Sequence, residues 1–158
     1  MNNIAVNVVF TNLQETRAAL SEAVALSAGL PAEVRLVAAL VNPYPLPLGQ
    51  PVVNVEYLRM RLRKLVAKLE VPVQVDVRIC RDWVKAICAA IPAEGVIVLG
   101  STSPRWFPGR ARRLAWRLRR AGRRVLVVRA PSGTDIAPKP KALERTAEAE
   151  AREAQAAK

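Results

Sequence analysis

Between Ser101 and Ala130 the sequence carries ten arginines and no acidic residue. A guanidinium group stays charged and presents a planar fork of donors, so arginines in number read first as receivers of phosphate, carboxylate or a larger polyanion. The residues best spaced for that chemistry stand at the start of the segment. Gly100 is followed by three hydroxyls, Ser101, Thr102 and Ser103, then by Arg105, Gly109 and a predicted helix that opens with Arg110, Arg112 and Arg113. Cations in the first turn of a helix oppose its dipole, at about 0.3–1 kcal/mol each when exposed. An anion bound there reverses the sign, because backbone N–H groups and guanidinium groups then act together. With Thr11, at the end of the first predicted strand, these residues form the candidate ligand site. The competing reading is a solubilising, arginine-rich surface. Arg117, Arg119, Arg120, Arg123 and Arg124 reach beyond one small ligand and keep open an extended partner, either nucleic acid or an acidic surface.

Trp106, Phe107 and Trp116 lie within the same basic region. Their first reading is packing, in the core or at an interface. Stacking on bases and seating at a membrane interface are the alternatives. Trp83 reads as packing.

Other chemistries find little support. The chain has no histidine, which removes the commonest neutral-pH base and the commonest zinc ligand. Cys80 and Cys88 read as two buried thiols and make no metal site by themselves. Asp82 is placed as a helix N-cap. Asp76 falls on the solvent side of a strand, and Glu15 is either a capping-box residue or a group at the ligand edge. No carboxylate pair is spaced for acid–base work and no nucleophile has a partner, so the chain is expected not to be an enzyme.

The chain's 158 residues are enough for one domain with its own core. Its net charge of +12 comes almost wholly from the arginine segment. No run approaches the roughly 20 apolar residues of a membrane span. The amino terminus lacks the basic flank of a secretory signal, so the expected setting is the cytoplasm.

Five apolar strand patterns alternate with four helical ones. The strands are predicted over residues 4–10, 34–41, 72–80, 96–99 and 125–128. The helices are predicted over 13–28, 55–69, 82–90 and 110–121, with Thr11 or Asn12 capping the first. Residues 42–51, with four prolines and a glycine, and residues 100–109 read as loops. Such alternation predicts an α/β fold, a five-stranded parallel sheet with helices on both faces. Right-handed crossovers bring every strand-to-helix loop to one edge, where ligands bind at the point of strand-order reversal. The third strand alternates Val73, Val75, Val77 and Ile79 with Gln74, Asp76 and Arg78, which places it toward the outside of the sheet. Residues 1–130 form the domain. Residues 131–158 read as a flexible, polar and charged tail without an apolar face.

The element order and the closing phrase VIVLGSTS…RRVLVVRA resemble the universal stress protein family, over about residues 3–130. Gly100 and Ser101 match the start of the family's glycine-rich loop, and residues 123–129 match its last strand. The resemblance implies an adenine nucleotide alpha hydrolase-like (Rossmann-like) three-layer sandwich. It also implies a non-enzymatic regulatory or stress-response role and a homodimer through the last strand, from Val125 to Val128. ATP-binding members cradle the phosphates in the loop after the fourth strand. This chain departs from their pattern: the family's aspartate falls at Val9, its second loop glycine at Ser103, and its final Gly-Ser pair at Ala111 and Arg112. Pro104 removes a further backbone donor. The chain is thus identified as a degenerate member that holds no obligatory cofactor and senses a phosphate-bearing ligand. A nucleic-acid-associated protein, a module docking on an anionic membrane or a partner protein, and residual ATP or AMP binding are the alternatives.

Overall fold

The computed structural model describes residues 4–131 other than Arg105 and Pro108. The predicted tail therefore lies, beyond Pro131, outside the described residues.

Among the described residues nine elements follow in order: β1 (Ile4–Val9), α1 (Leu13–Ser27), β2 (Ala32–Val41), α2 (Val55–Val66), β3 (Val73–Cys80), α3 (Trp83–Ala90), β4 (Val96–Ser101), α4 (Arg110–Arg120) and β5 (Arg124–Arg129). Side-chain caps start three helices. Asn12 Oδ1 accepts from the Glu15 N–H (2.9 Å), Asn54 Oδ1 from Tyr57 (3.0 Å) and Asp82 Oδ1 from Lys85 (3.1 Å). α4 begins at Gly109 without a side-chain cap. Gly29 and Gly122 turn the chain out of α1 and α4 at φ 79°, a conformation open to glycine and strained for other residues.

All strand pairs are parallel and the sheet order is β3-β2-β1-β4-β5. The alternating third strand is an edge, as its polar face requires, and the apolar fifth strand is the other edge. Alternate residues of β1 feed two separate cores. Val6 and Val8 pack with Ala19, Leu20 and Ala23 of α1 and Leu62 of α2. Val9 packs with Trp83 and Ile87 of α3 and Ala115 and Leu118 of α4. The helices thus form one layer on each face, α1 and α2 against α3 and α4. This follows from right-handed crossovers that run outward through β2 and β3, then return past β1 to β4. Each fully buried leucine or isoleucine stabilises the fold by roughly 1.5–3 kcal/mol. The arginine-rich α4 is held by Ala111, Ala115 and Leu118 alone among its fully buried side chains.

Two boundaries differ from the sequence expectation in ways that matter. β4 does not end at Leu99 but continues through Gly100 and Ser101, which pair with Val128 and Arg129. The Ser101 carbonyl also accepts the Ala130 N–H (2.8 Å). Cys80 and Cys88 are free thiols, half-buried rather than buried. Burial, and then the Asp82 carboxylate, push the Cys80 thiol up, which keeps it protonated.

Candidate functional site

The order β3-β2-β1-β4-β5 reverses between β1 and β4, so a crevice opens at the carboxyl ends of these two strands. Glu15, in the first turn of α1, fills it. Its Oε2 accepts from the Thr11 hydroxyl (2.7 Å), and its Oε1 accepts from both the N–H (3.0 Å) and the hydroxyl (2.9 Å) of Thr102. Glu15 is only 9% exposed. The amide of Thr102, which a phosphate cradled after β4 would use, is thus already engaged by a carboxylate. A second anion there would meet its charge.

Gly100 has a role at this point that concerns packing. A Cβ added to it would lie 1.9 Å from the Glu15 carbonyl oxygen and 2.5 Å from its carbonyl carbon. The missing side chain lets the first turn of α1 settle on β4 and bring the Glu15 carboxylate to Thr102. Three of the sequence-predicted site residues, Thr11, Gly100 and Thr102, therefore belong to one closed constellation around Glu15. Val9 and Phe10 do not fill the crevice. Val9 is buried under α3 and α4, and Phe10 packs on the α1–α2 core.

Ser101, Ser103 and Arg112 belong to a different place. They line a groove of about 740 Å³ between α4 and the edge strand β5, together with Ala115, Trp116 and Arg119 of α4 and Val127 and Arg129 of β5. The volume is in the range of small-ligand sites. Among the described residues the lining holds three guanidinium groups and two serine hydroxyls and no carboxylate. Helical spacing puts positions 112, 116 and 119 on one face of α4, and the β4–β5 register sets Arg129 beside Ser101. The Ser103 N–H donates to Ser101 Oγ (3.3 Å), and Arg119 donates to the Val125 carbonyl (2.7 Å). Gly109 closes the base of the loop. A Cβ there would fall 1.9 Å from Ser103 Oγ.

The remaining arginines divide by function. Arg110 and Arg113 are exposed in the first turn of α4, away from the groove lining. Arg105 lies outside the described residues. Arg120 lies over the Trp116 ring, 5.2 Å from its centre. Arg123 turns inward, donating to the Cys88 carbonyl (2.7 Å), and so ties β5 to α3. Arg117 stands close enough to Asp82 to help lower its pKa, after the larger effect of the Lys85 N–H hydrogen bond. Trp83 is buried as expected. Trp106, Phe107 and Trp116 are not core residues: all three are exposed, and Trp106 and Phe107 touch edge to face at 6.2 Å. Sequence reasoning left out Arg129 and Arg119 as groove residues, although α4 periodicity carries a signal for Arg119. It left Glu15 between two roles; the structure sets its carboxylate at the crevice, on Thr11 and Thr102, while its N–H is capped by Asn12.

Among the described residues no cluster of three histidine, cysteine, aspartate or glutamate side chains could hold a metal ion, and no helix is long and apolar enough to cross a membrane. No family model matches the sequence, and no curated protein matches it. The architecture is a three-layer α/β sandwich around a five-stranded parallel sheet, the fold class expected from the sequence. The chain is similar to the crystal structure of a protein from the universal stress protein family of Burkholderia pseudomallei, with TM-score 0.56 and 20% sequence identity, over 78% of this chain and 94% of that one. The two chains share this fold.

Proposed function

We propose that this chain is a universal-stress-protein-like regulatory domain, without catalysis of its own, that receives a phosphate-bearing ligand in the α4–β5 groove and not at the switch point. The likeness of fold supports the stress-response reading. One observation carries the site: Arg112, Arg119 and Arg129 line a single groove with Ser101 and Ser103, and among the described residues no carboxylate lines it with them. Guanidinium groups beside hydroxyls form charge-assisted hydrogen bonds to phosphate oxygens, and the Trp116 ring offers a face for a base. A cytoplasmic setting belongs to the same reading, as does a homodimer through Val125 to Val128, which the exposure of Leu126 on the edge strand β5 supports.

Calorimetric titration with ATP, AMP, a cyclic dinucleotide and inorganic pyrophosphate at low ionic strength tests the site. At least one of these ligands binds, and affinity falls as salt rises. The variant Arg112→Gln/Arg129→Gln binds about tenfold more weakly or worse, given about 1.4 kcal/mol per tenfold. If none of these ligands binds at low salt, or if the variant binds as well as the parent, the groove is not the receiver.

A further inference from the structure

The loop from Asn42 to α2 spends its hydrogen bonds inward and leaves its apolar side chains outside. The buried Asn42 side chain donates to the Pro47 carbonyl (2.8 Å) and accepts the Val52 N–H (3.4 Å). Arg81, from the turn after β3, donates to the carbonyls of Asn42 (2.7 Å), Pro43 (3.1 Å) and Leu46 (2.5 Å), and its guanidinium lies 4.2 Å from the centre of the Tyr44 ring. The loop is thus organised, yet Tyr44 is 80% and Val52 68% exposed, with Leu46 and Leu48 also in solvent. A second tip repeats this arrangement after β4. Its turn is closed by the Phe107 N–H on the Pro104 carbonyl (3.1 Å), and it carries Trp106, 84% exposed, beside Phe107.

Both tips leave the carboxyl edge of one parallel sheet. β2 and β4 are separated by β1 alone, so the tips depart from strand ends about 10 Å apart. Arg81 stands at the first tip. Arg110 and Arg113, both exposed, stand in the first turn of α4 beside the second. Among the described residues the carboxylates at this edge are engaged. Glu15 is buried on Thr11 and Thr102, Asp82 caps α3, and Glu56 pairs with Arg59 (2.5 Å).

We infer that this edge docks on an anionic lipid bilayer, the two apolar tips entering the headgroup region and the arginines meeting the lipid phosphates and carboxylates. The combination of exposed aromatic and aliphatic side chains with neighbouring cations is what an interfacial surface needs, since apolar burial and attraction to anionic lipid add together. Aromatic residues also settle at the headgroup level. Nucleic acid would explain the arginines and the aromatics, but Leu46, Leu48 and Val52 have no ring face on which a base could stack.

The test uses the full chain with vesicles of phosphatidylcholine containing phosphatidylserine, vesicles of phosphatidylcholine alone, and a single-stranded RNA. The chain cosediments with the phosphatidylserine vesicles at low salt and much less with the neutral ones. Trp106→Ser/Phe107→Ser, Tyr44→Ser/Val52→Ser and Arg110→Gln/Arg113→Gln each weaken partitioning by about tenfold or more. All six side chains are exposed, and unchanged thermal unfolding shows that each variant is folded. Absence of cosedimentation with phosphatidylserine vesicles overturns the inference. So does vesicle binding that ignores both tip variants, RNA retention that depends on the arginines alone, or tip variants that lower the oligomeric mass while lipid binding is absent. The last result would assign the face to a second copy of the chain.

Discussion

At the carboxyl ends of β1 and β4 a carboxylate sits among hydroxyl and amide donors. One strand further, beside β5, guanidinium groups line an open groove. The two regions are neighbours, built in part from consecutive residues: Thr102 turns to Glu15 while Ser101 and Ser103 face the groove. Their electrostatics are opposite. In the crevice the donors are already matched to a negative charge of the protein itself, so the site that the topology offers is internally satisfied. In the groove the excess is positive. The position that a fold reserves for a ligand is thus a prior about geometry. Whether a ligand is wanted there depends on the sign of the charge that the chain places around it.

The sharpest way to break this contrast is at Gly100. Gly100→Ala drives a methyl into the Glu15 backbone and is expected to destabilise the domain by about 3 kcal/mol, measured by urea unfolding. A near-neutral result would mean that α1 does not need the close approach on which the Glu15 contacts depend. Next is the carboxylate. Glu15→Ala removes three hydrogen bonds and leaves the Thr102 amide unmatched, a loss of about 2 kcal/mol. Glu15→Gln, which keeps an acceptor, loses less. Neither variant should change the affinity for a groove ligand, whereas Arg112→Gln/Arg129→Gln should lower it with little change in stability. If Glu15→Ala instead creates tight ATP binding, the crevice is a latent nucleotide site and the contrast collapses.

The smallest effect concerns pH. The Lys85 N–H hydrogen bond, helped by the Val84 N–H and the charges of Arg117 and Lys85, holds the Asp82 carboxyl below the usual carboxylate range. A pKa lower in the folded state than in the unfolded one means that stabilisation is fully present above the unfolded value and is lost as pH falls through the folded one. Asp82→Asn still caps α3, so thermal unfolding at neutral pH should hardly move, while the decline of stability on acidification becomes shallower. An unchanged acid profile would show that Asp82 does not contribute to it.

Much of the architecture was legible because its causes are local. The alternation of Val73, Val75, Val77 and Ile79 with polar residues marked an edge strand, and β3 is one. The spacing of Ala111, Leu114, Ala115 and Leu118 suits packing on a sheet, and α4 buries Ala111, Ala115 and Leu118 there, with Leu114 partly buried beside them. The continuation of β4 through Gly100 and Ser101 was not legible. Glycine and serine carry weak strand preference, and what extends the strand is pairing with β5 under a close-packed helix. Trp106 and Phe107 read from the sequence as packing in the core or at an interface, and the structure excludes the core. Their exposure follows from the placement of a short turn beyond the end of β4, where among the described residues no element covers it.

The sequence by itself determined the order of elements, the parallel sheet, the helix cap at Asp82, and the confinement of positive charge to the last crossover, and it narrowed the first cap to Thr11 or Asn12. These rest on periodicity, capping and composition, which act over a few residues. Only the tertiary structure decided that Glu15 meets Thr102 across 87 residues, and that Arg129 joins Arg112 and Arg119 around one groove. Such meetings depend on strand register and on how closely a helix can approach the sheet. Those quantities are set by packing among distant segments, and no local pattern encodes them.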